Sequence, residues 1–220
     1  MKKKLCLFLA CAMTAVLLFG CGSSTTDSAE EQEAVTTPGS NIEYEQDGSL
    51  PPLDKDLQTL YQEAQGLYEQ ISLTGFDMDT SDTLEKDGLV YYKVNDSRFS
   101  DYDSFYSYLN QYFTKDFIDE EIMTESNLRF AKGDNGDLYI LDGNRGTNIF
   151  FAGYVMTVDS QTDKEILFTS TVYYTMDTAN EAEIFYTAPE DPENYTTKTY
   201  QFDLIQEDGS WKFDNFYLFY

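Results

Sequence analysis

The stretch Lys164-Glu165-Ile166-Leu167-Phe168-Thr169-Ser170-Thr171-Val172-Tyr173-Tyr174-Thr175-Met176 places Ile166, Phe168, Val172, Tyr174 and Met176 on one side of an extended chain. A period of two is the mark of a strand with one face in a core. It decides the fold class, because the same period holds from residue 128 to the end of the chain, while a period near 3.6 dominates before it.

Downstream, Tyr200, Phe202 and Leu204 pair with Trp211 and Phe213 through Glu207-Asp208-Gly209-Ser210, whose Asp-Gly is a strong hairpin signal. Between them, Ala188-Pro189-Glu190-Asp191-Pro192-Glu193-Asn194 reads as an exposed loop. Upstream, residues 149–158 are apolar on both faces, which predicts a central strand covered on both sides. Residues 128–132 and 138–141 flank the turn residues Gly133-Asp134-Asn135-Gly136-Asp137, a second hairpin, and Asp142-Gly143-Asn144-Arg145-Gly146 is a further turn. Tyr91-Tyr92 and Tyr173-Tyr174 must each send one ring to either face of a sheet. Those rings serve packing against helices or a Tyr-lined groove.

Before residue 128 the pattern is mainly helical. Leu53, Leu57, Leu60, Tyr61, Ala64, Leu67, Tyr68 and Ile71 form one stripe of a long helix over residues 53–72. Its polar face is acidic, which suits a core-packing helix and not a membrane-surface one. A polar, Asp- and Thr-rich connection leads to a strand over residues 88–94. Ser100 is the expected N-cap of a second helix bearing Phe105, Leu109, Tyr112 and Phe113, and Thr114 the cap of a third reaching Met123, with Asp119, Glu120 and Glu121 as a solvated face. Helices first and antiparallel strands afterwards predict an α+β domain over residues 53–220, three helices packed on one curved sheet.

The amino terminus has a different character. Lys2, Lys3 and Lys4 precede an apolar run over residues 5–19 that is too short for a resident membrane span and reads as a secretory signal. Leu18-Phe19-Gly20-Cys21 resembles the bacterial lipoprotein signal, which implies cleavage after residue 20 and a diacylglyceryl group on Cys21. Two acyl chains, at about 0.8 kcal/mol per buried methylene, make a stable anchor on the outer face of a membrane. Residues 21–52 then read as an acidic tether, with seven acidic residues, no basic ones and Pro51-Pro52 at its end. A coil of that length spans roughly 30 Å.

Processing at Cys21 removes much chemistry. Cys6 and Cys11 leave with the signal, Cys21 is consumed, and the sequence holds no histidine. Thiol-imidazole and Ser/His/Asp catalysis and the usual zinc sites are then unavailable, and the domain is held by its core without disulfides. Of 14 Lys and Arg, three go with the signal, leaving 11 against 40 Asp and Glu, a charge of −29. Such a surface excludes nucleic acid. It serves solubility, attraction to a basic macromolecular partner, or carboxylate-held calcium or magnesium.

No calcium-loop or phosphate-loop pattern is present, and acid pairs among so many carboxylates carry no signal for glycoside hydrolysis. No cofactor is expected. Ser104-Phe105-Tyr106-Ser107-Tyr108-Leu109, Phe113-Thr114-Lys115-Asp116-Phe117, Gly136-Asp137-Leu138-Tyr139 and Gly209-Ser210-Trp211-Lys212-Phe213-Asp214 resemble, in this order, the IseA-type inhibitors of cell-wall D,L-endopeptidases. The resemblance implies a cystatin-like α+β domain that blocks the groove of peptidoglycan-cleaving cysteine peptidases. That family is typically secreted, so the lipid anchor departs from its pattern, and no inhibitory residue is carried over from it.

The resulting expectation is a noncatalytic, membrane-tethered inhibitor of a basic cell-wall hydrolase. The partner-binding candidates are Asp134, Asn135 and Asp137 in one turn and Asp142, Asn144 and Arg145 in the next, where charge sits beside rigid strands. The alternative is a noncatalytic lipoprotein that binds a small ligand, a wall fragment or a neighbouring protein. A deep apolar pocket between helices and sheet favours that alternative, and a filled core with a protruding acidic loop favours the inhibitor.

Overall fold

The computed structural model describes residues 48–176 and 184–220. The signal, Cys21 and the tether through residue 47 lie outside the described residues.

Helix α1 (Lys55–Glu69) starts where the carboxylate of Asp54 accepts the Leu57 amide at 3.0 Å and continues into a π-helical turn, Gln70–Thr74. Its stripe of Leu57, Tyr61, Ala64 and Leu67 is buried. Strands β1 (Met78–Lys86) and β2 (Leu89–Val94) follow as a hairpin, then α2 (Tyr102–Leu109), the single turn α3 (Lys115–Phe117) and a second π-helical turn, Ile118–Ile122. Strands β3 (Phe130–Lys132) and β4 (Leu138–Leu141) complete one antiparallel sheet in the order β1-β2-β4-β3. Strands β5 (Phe151–Gln161), β6 (Glu165–Thr175), β7 (Tyr195–Glu207) and β8 (Ser210–Phe213) form a second antiparallel sheet in sequence order.

The α+β class is present, and the strands divide between two sheets where one was expected. Three local readings also shift. The Asp- and Thr-rich connection is strand β1, whose paired Asp87 and Gly88, both at positive φ, form the tight turn into β2. The cap of α2 is Asp101, not Ser100. Its carboxylate accepts the Ser104 amide at 2.8 Å while the Ser104 hydroxyl accepts the Asp101 amide at 3.0 Å. The strand expected at the centre of a sheet is β5, which lies at an edge. Its free edge is met by Phe185, which joins Gly153 in a single parallel bridge through backbone hydrogen bonds with Tyr154 and Ala152.

Both sheets share one core. Tyr61 of α1 is wholly buried and stands edge-on to Phe168, Phe202 and Phe213 of the second sheet, with ring centroids 5.9–6.2 Å apart. Phe105 of α2 packs on Phe99 and Phe130 beside the first sheet at 4.7 and 5.0 Å. Each such ring contributes about 2–3 kcal/mol through burial, which outweighs the cost of about 1–3 kcal/mol for the unpartnered Tyr61 hydroxyl. The segment between α2 and α3 covers β8. Phe213 donates its amide to Tyr112 and its carbonyl accepts from Thr114, while the Thr114 hydroxyl donates to Asp214 at 2.6 Å.

Tyr91 is buried in a small second cluster with Ala131 and Tyr139, while Tyr174 packs on the main core and Tyr173 meets Phe185 and Tyr195 on the other side. At Tyr173-Tyr174 the paired rings therefore serve packing on both faces.

Candidate functional site: the connection between the sheets

Strand β4 belongs to the first sheet and β5 to the second, so residues 142–150 must pass from one to the other. All nine are exposed. The connection is nevertheless pinned. The guanidinium of Arg129 donates to the carbonyls of Leu141 at 3.0 Å and Gly143 at 2.6 Å, holding the departure from β4. Burial pushes the Arg129 guanidinium below its usual range, against the opposing pull of Asp142. At mid-loop the Arg145 amide donates to Leu73 at 3.0 Å, tying the loop to the end of the π-helical turn after α1. At the far end the side chain of Asn148 accepts the Phe150 amide at 3.0 Å, and the Phe150 carbonyl accepts the Thr175 amide at 2.8 Å.

What this scaffold presents is mixed. Asp142 and Arg145 balance in charge, so the loop is not the acidic protrusion that the inhibitor reading expected. Its last two residues are apolar, with Ile149 82% exposed and Phe150 41%. Apolar groups at that exposure cost free energy in water and gain it when covered.

The other predicted turn is built differently. The carboxylate of Asp137 receives Lys93 at 2.6 Å and the Asn135 amide group at 2.7 Å, and Lys93 lies 3.8 Å from Asp82, which also accepts the Tyr139 hydroxyl at 2.9 Å. The Lys93 bond, helped by Asn135, holds the Asp137 carboxyl below the usual carboxylate range. Asp137 and Asn135 thus hold their own turn together, while Asp134 is exposed.

The six predicted residues do not converge. Asp134, Asn135 and Asp137 precede β4 and Asp142, Asn144 and Arg145 follow it, so a four-residue strand of roughly 13 Å separates the two groups. Sequence reasoning missed Thr147, Asn148, Ile149 and Phe150. The available signal is a polar run ending in Ile149-Phe150 before the small residues Ala152 and Gly153, a pattern that equally fits the start of a buried strand.

Two hollows flank the loop, and Asn148 lines both. One, of about 650 Å³, lies between Ile149, the exposed side of α1 at Gln62 and Gln65, β5 and Tyr186. The other, of about 490 Å³, lies beside Phe150, Tyr174, Lys198 and Tyr200. Both are at the rim, and the interior between α1 and the second sheet is filled by rings. Among the described residues no group of three or more acidic, Cys or His side chains is placed to hold a metal ion, and no helix is long and apolar enough to cross a membrane.

No curated protein matches the sequence. The family described as IseA DL-endopeptidase inhibitor matches residues 53–217, three quarters of the chain and nearly all of the described fold. The match runs through both sheets and the connection between them, and on that ground the chain belongs to the IseA DL-endopeptidase inhibitor family.

Proposed function

We propose that this chain is a membrane-tethered, extracytoplasmic inhibitor of peptidoglycan D,L-endopeptidases, anchored through a diacylglyceryl group on Cys21, with the 142–150 connection as the part that engages the enzyme. The observation that carries the reading is that connection: nine exposed residues held at the base, middle and end by hydrogen bonds to Arg129, Leu73 and Thr175. A pre-ordered loop loses little conformational entropy on entering a groove, which is what a tight inhibitor needs.

Charge and contact play separate parts. A net charge of −29 after removal of residues 1–20 speeds encounter with a basic wall-bound hydrolase, while the balanced loop supplies apolar contact through Ile149 and Phe150. The ring-filled interior beneath α1 also supports the inhibitor over a carrier that encloses its ligand deep in the core, since the hollows lie at the rim.

Adding the purified chain to a panel of D,L-endopeptidases and following peptidoglycan clearance tests the function. Dose-dependent slowing is expected, and undiminished clearance by every enzyme would overturn it. The anchor is tested separately by mass spectrometry of the membrane fraction, where a lipid-modified amino-terminal Cys21 is expected and is lost on Cys21→Ser.

A further inference from the structure

The larger hollow has a property unlike the rest of this protein. A quarter of the chain is charged, yet among the described residues none of those lining the space of about 650 Å³ carries a charge. Amide side chains enter from Gln62, Gln65 and Asn148 and hydroxyls from Thr147 and Tyr186, beside the rings of Phe151 and Tyr154. Tyr186 stands edge-on to Tyr154 at 5.1 Å, and Phe151 edge-on to Tyr220 at 5.5 Å, so these rings are held in fixed orientations. The Tyr220 hydroxyl receives Gln65 and donates to Glu69, which fixes the floor. Among the described residues, Tyr186 is 37% exposed and Ile184 49% exposed.

We propose that this hollow binds a neutral, N-acetylated glycan. Aromatic rings offer faces to the weakly apolar C–H side of a hexose, and carboxamides both donate and accept, matching hydroxyl and acetamide groups. The volume lies within the usual range for small-molecule sites. Charge decides against the other component of a bacterial wall. A stem peptide rich in carboxylates would meet no cation in the lining and a protein of net charge −26. The choice between wall components rests on the wall setting of the inhibitor reading, and Asn148 and Ile149 serve both surfaces.

Calorimetric titration of the full chain in detergent with the tetramer of β-1,4-linked N-acetylglucosamine tests it, with cellotetraose and a soluble stem peptide as comparators. Saturable binding with a dissociation constant of about 1 mM or tighter is expected, at least fivefold weaker for cellotetraose and absent for the peptide. Tyr186→Ala and Gln62→Ala each weaken it at least fivefold, whereas Val90→Ala, on the β1–β2 hairpin, leaves it unchanged. No saturation by about 5 mM, tighter binding of the peptide, or indifference to Tyr186→Ala overturns the proposal. So does a loss of inhibition by Tyr186→Ala on a sugar-free peptide substrate without any glycan binding, which assigns the hollow to the hydrolase interface. Glycan binding that persists while no endopeptidase is inhibited overturns the inhibitor reading alone.

Discussion

Replacing Arg129 by Met should separate the loop's order from the fold's stability. The substitution keeps an apolar stem and removes the two bonds to the carbonyls of Leu141 and Gly143, at 3.0 and 2.6 Å. Bonds from a charged donor contribute about 1.5–3 kcal/mol each, but the same guanidinium is partly buried with an unpartnered Nε, a cost of about 1–3 kcal/mol. The global loss is therefore about 2–3 kcal/mol, measured by urea denaturation. The effect on inhibition is at least as large. Two residues freed at the loop base, Asp142 and Gly143, must be re-ordered by the enzyme at about 1–2 kcal/mol each, which is roughly 30- to 1000-fold in the inhibition constant. An inhibition constant within about threefold of the parent, with the fold intact, would refute the argument that pinning this loop matters.

Three further outcomes follow from other sites. At Gly153, φ is +149° and a Cβ would lie 2.0 Å from the Phe185 carbonyl oxygen, so Gly153→Ala must break the bridge to Phe185. A loss of about 2–4 kcal/mol and new protease cutting near residue 185 are expected, and an unchanged denaturation midpoint would count against the bridge. Asp203 has a buried, unpartnered oxygen, and burial, with Glu165 and Asp214 nearby, raises its carboxyl above the usual range. Its contribution to stability is complete below the unfolded-state value and is lost as pH rises through the raised folded-state value. Asp203→Asn should therefore gain about 1 kcal/mol at pH 7, with the gain fading toward acid pH, and an advantage that grows on acidification would be contrary to this. Lys212, only 4% exposed, donates to Glu207 at 2.7 Å and Asn110 at 3.0 Å. Burial tends to raise Glu207, and the bonds from Lys212, the Lys115 amide and Asn110 outweigh it, so the carboxyl lies below its usual range. Lys212→Met should cost about 2–4 kcal/mol at pH 7 and less as Glu207 protonates at lower pH, as thermal denaturation at two pH values would reveal.

Local features were legible where one residue pattern has one physical outcome. The buried stripe of α1, the Thr114 cap, the Asp208-Gly209 hairpin and the alternation of β6 all appear as expected, because each depends on neighbours within a few positions. Strand β1 was missed although Asp87-Gly88 carried the same hairpin signal. Its exposed faces leave Met78, Thr80, Asp82 and Leu84 without the apolar alternation that marks a strand. The candidate site was half legible. Asp142, Asn144 and Arg145 lie on the connection between the sheets, while Asp137 and Asn135 turned out to hold their own turn.

By itself the sequence determined the α+β class, the helix faces and the hairpins, together with the absence of histidine and the strong negative charge. Only the tertiary structure decided which strands share a sheet, that β5 lies at an edge, and that residues 142–150 cross between sheets with Ile149 outside. The physical reason is range. Periodicity reports which face of an element is covered, but an apolar residue is covered by whatever the rest of the chain brings to it, and the described residues leave Ile149 82% exposed.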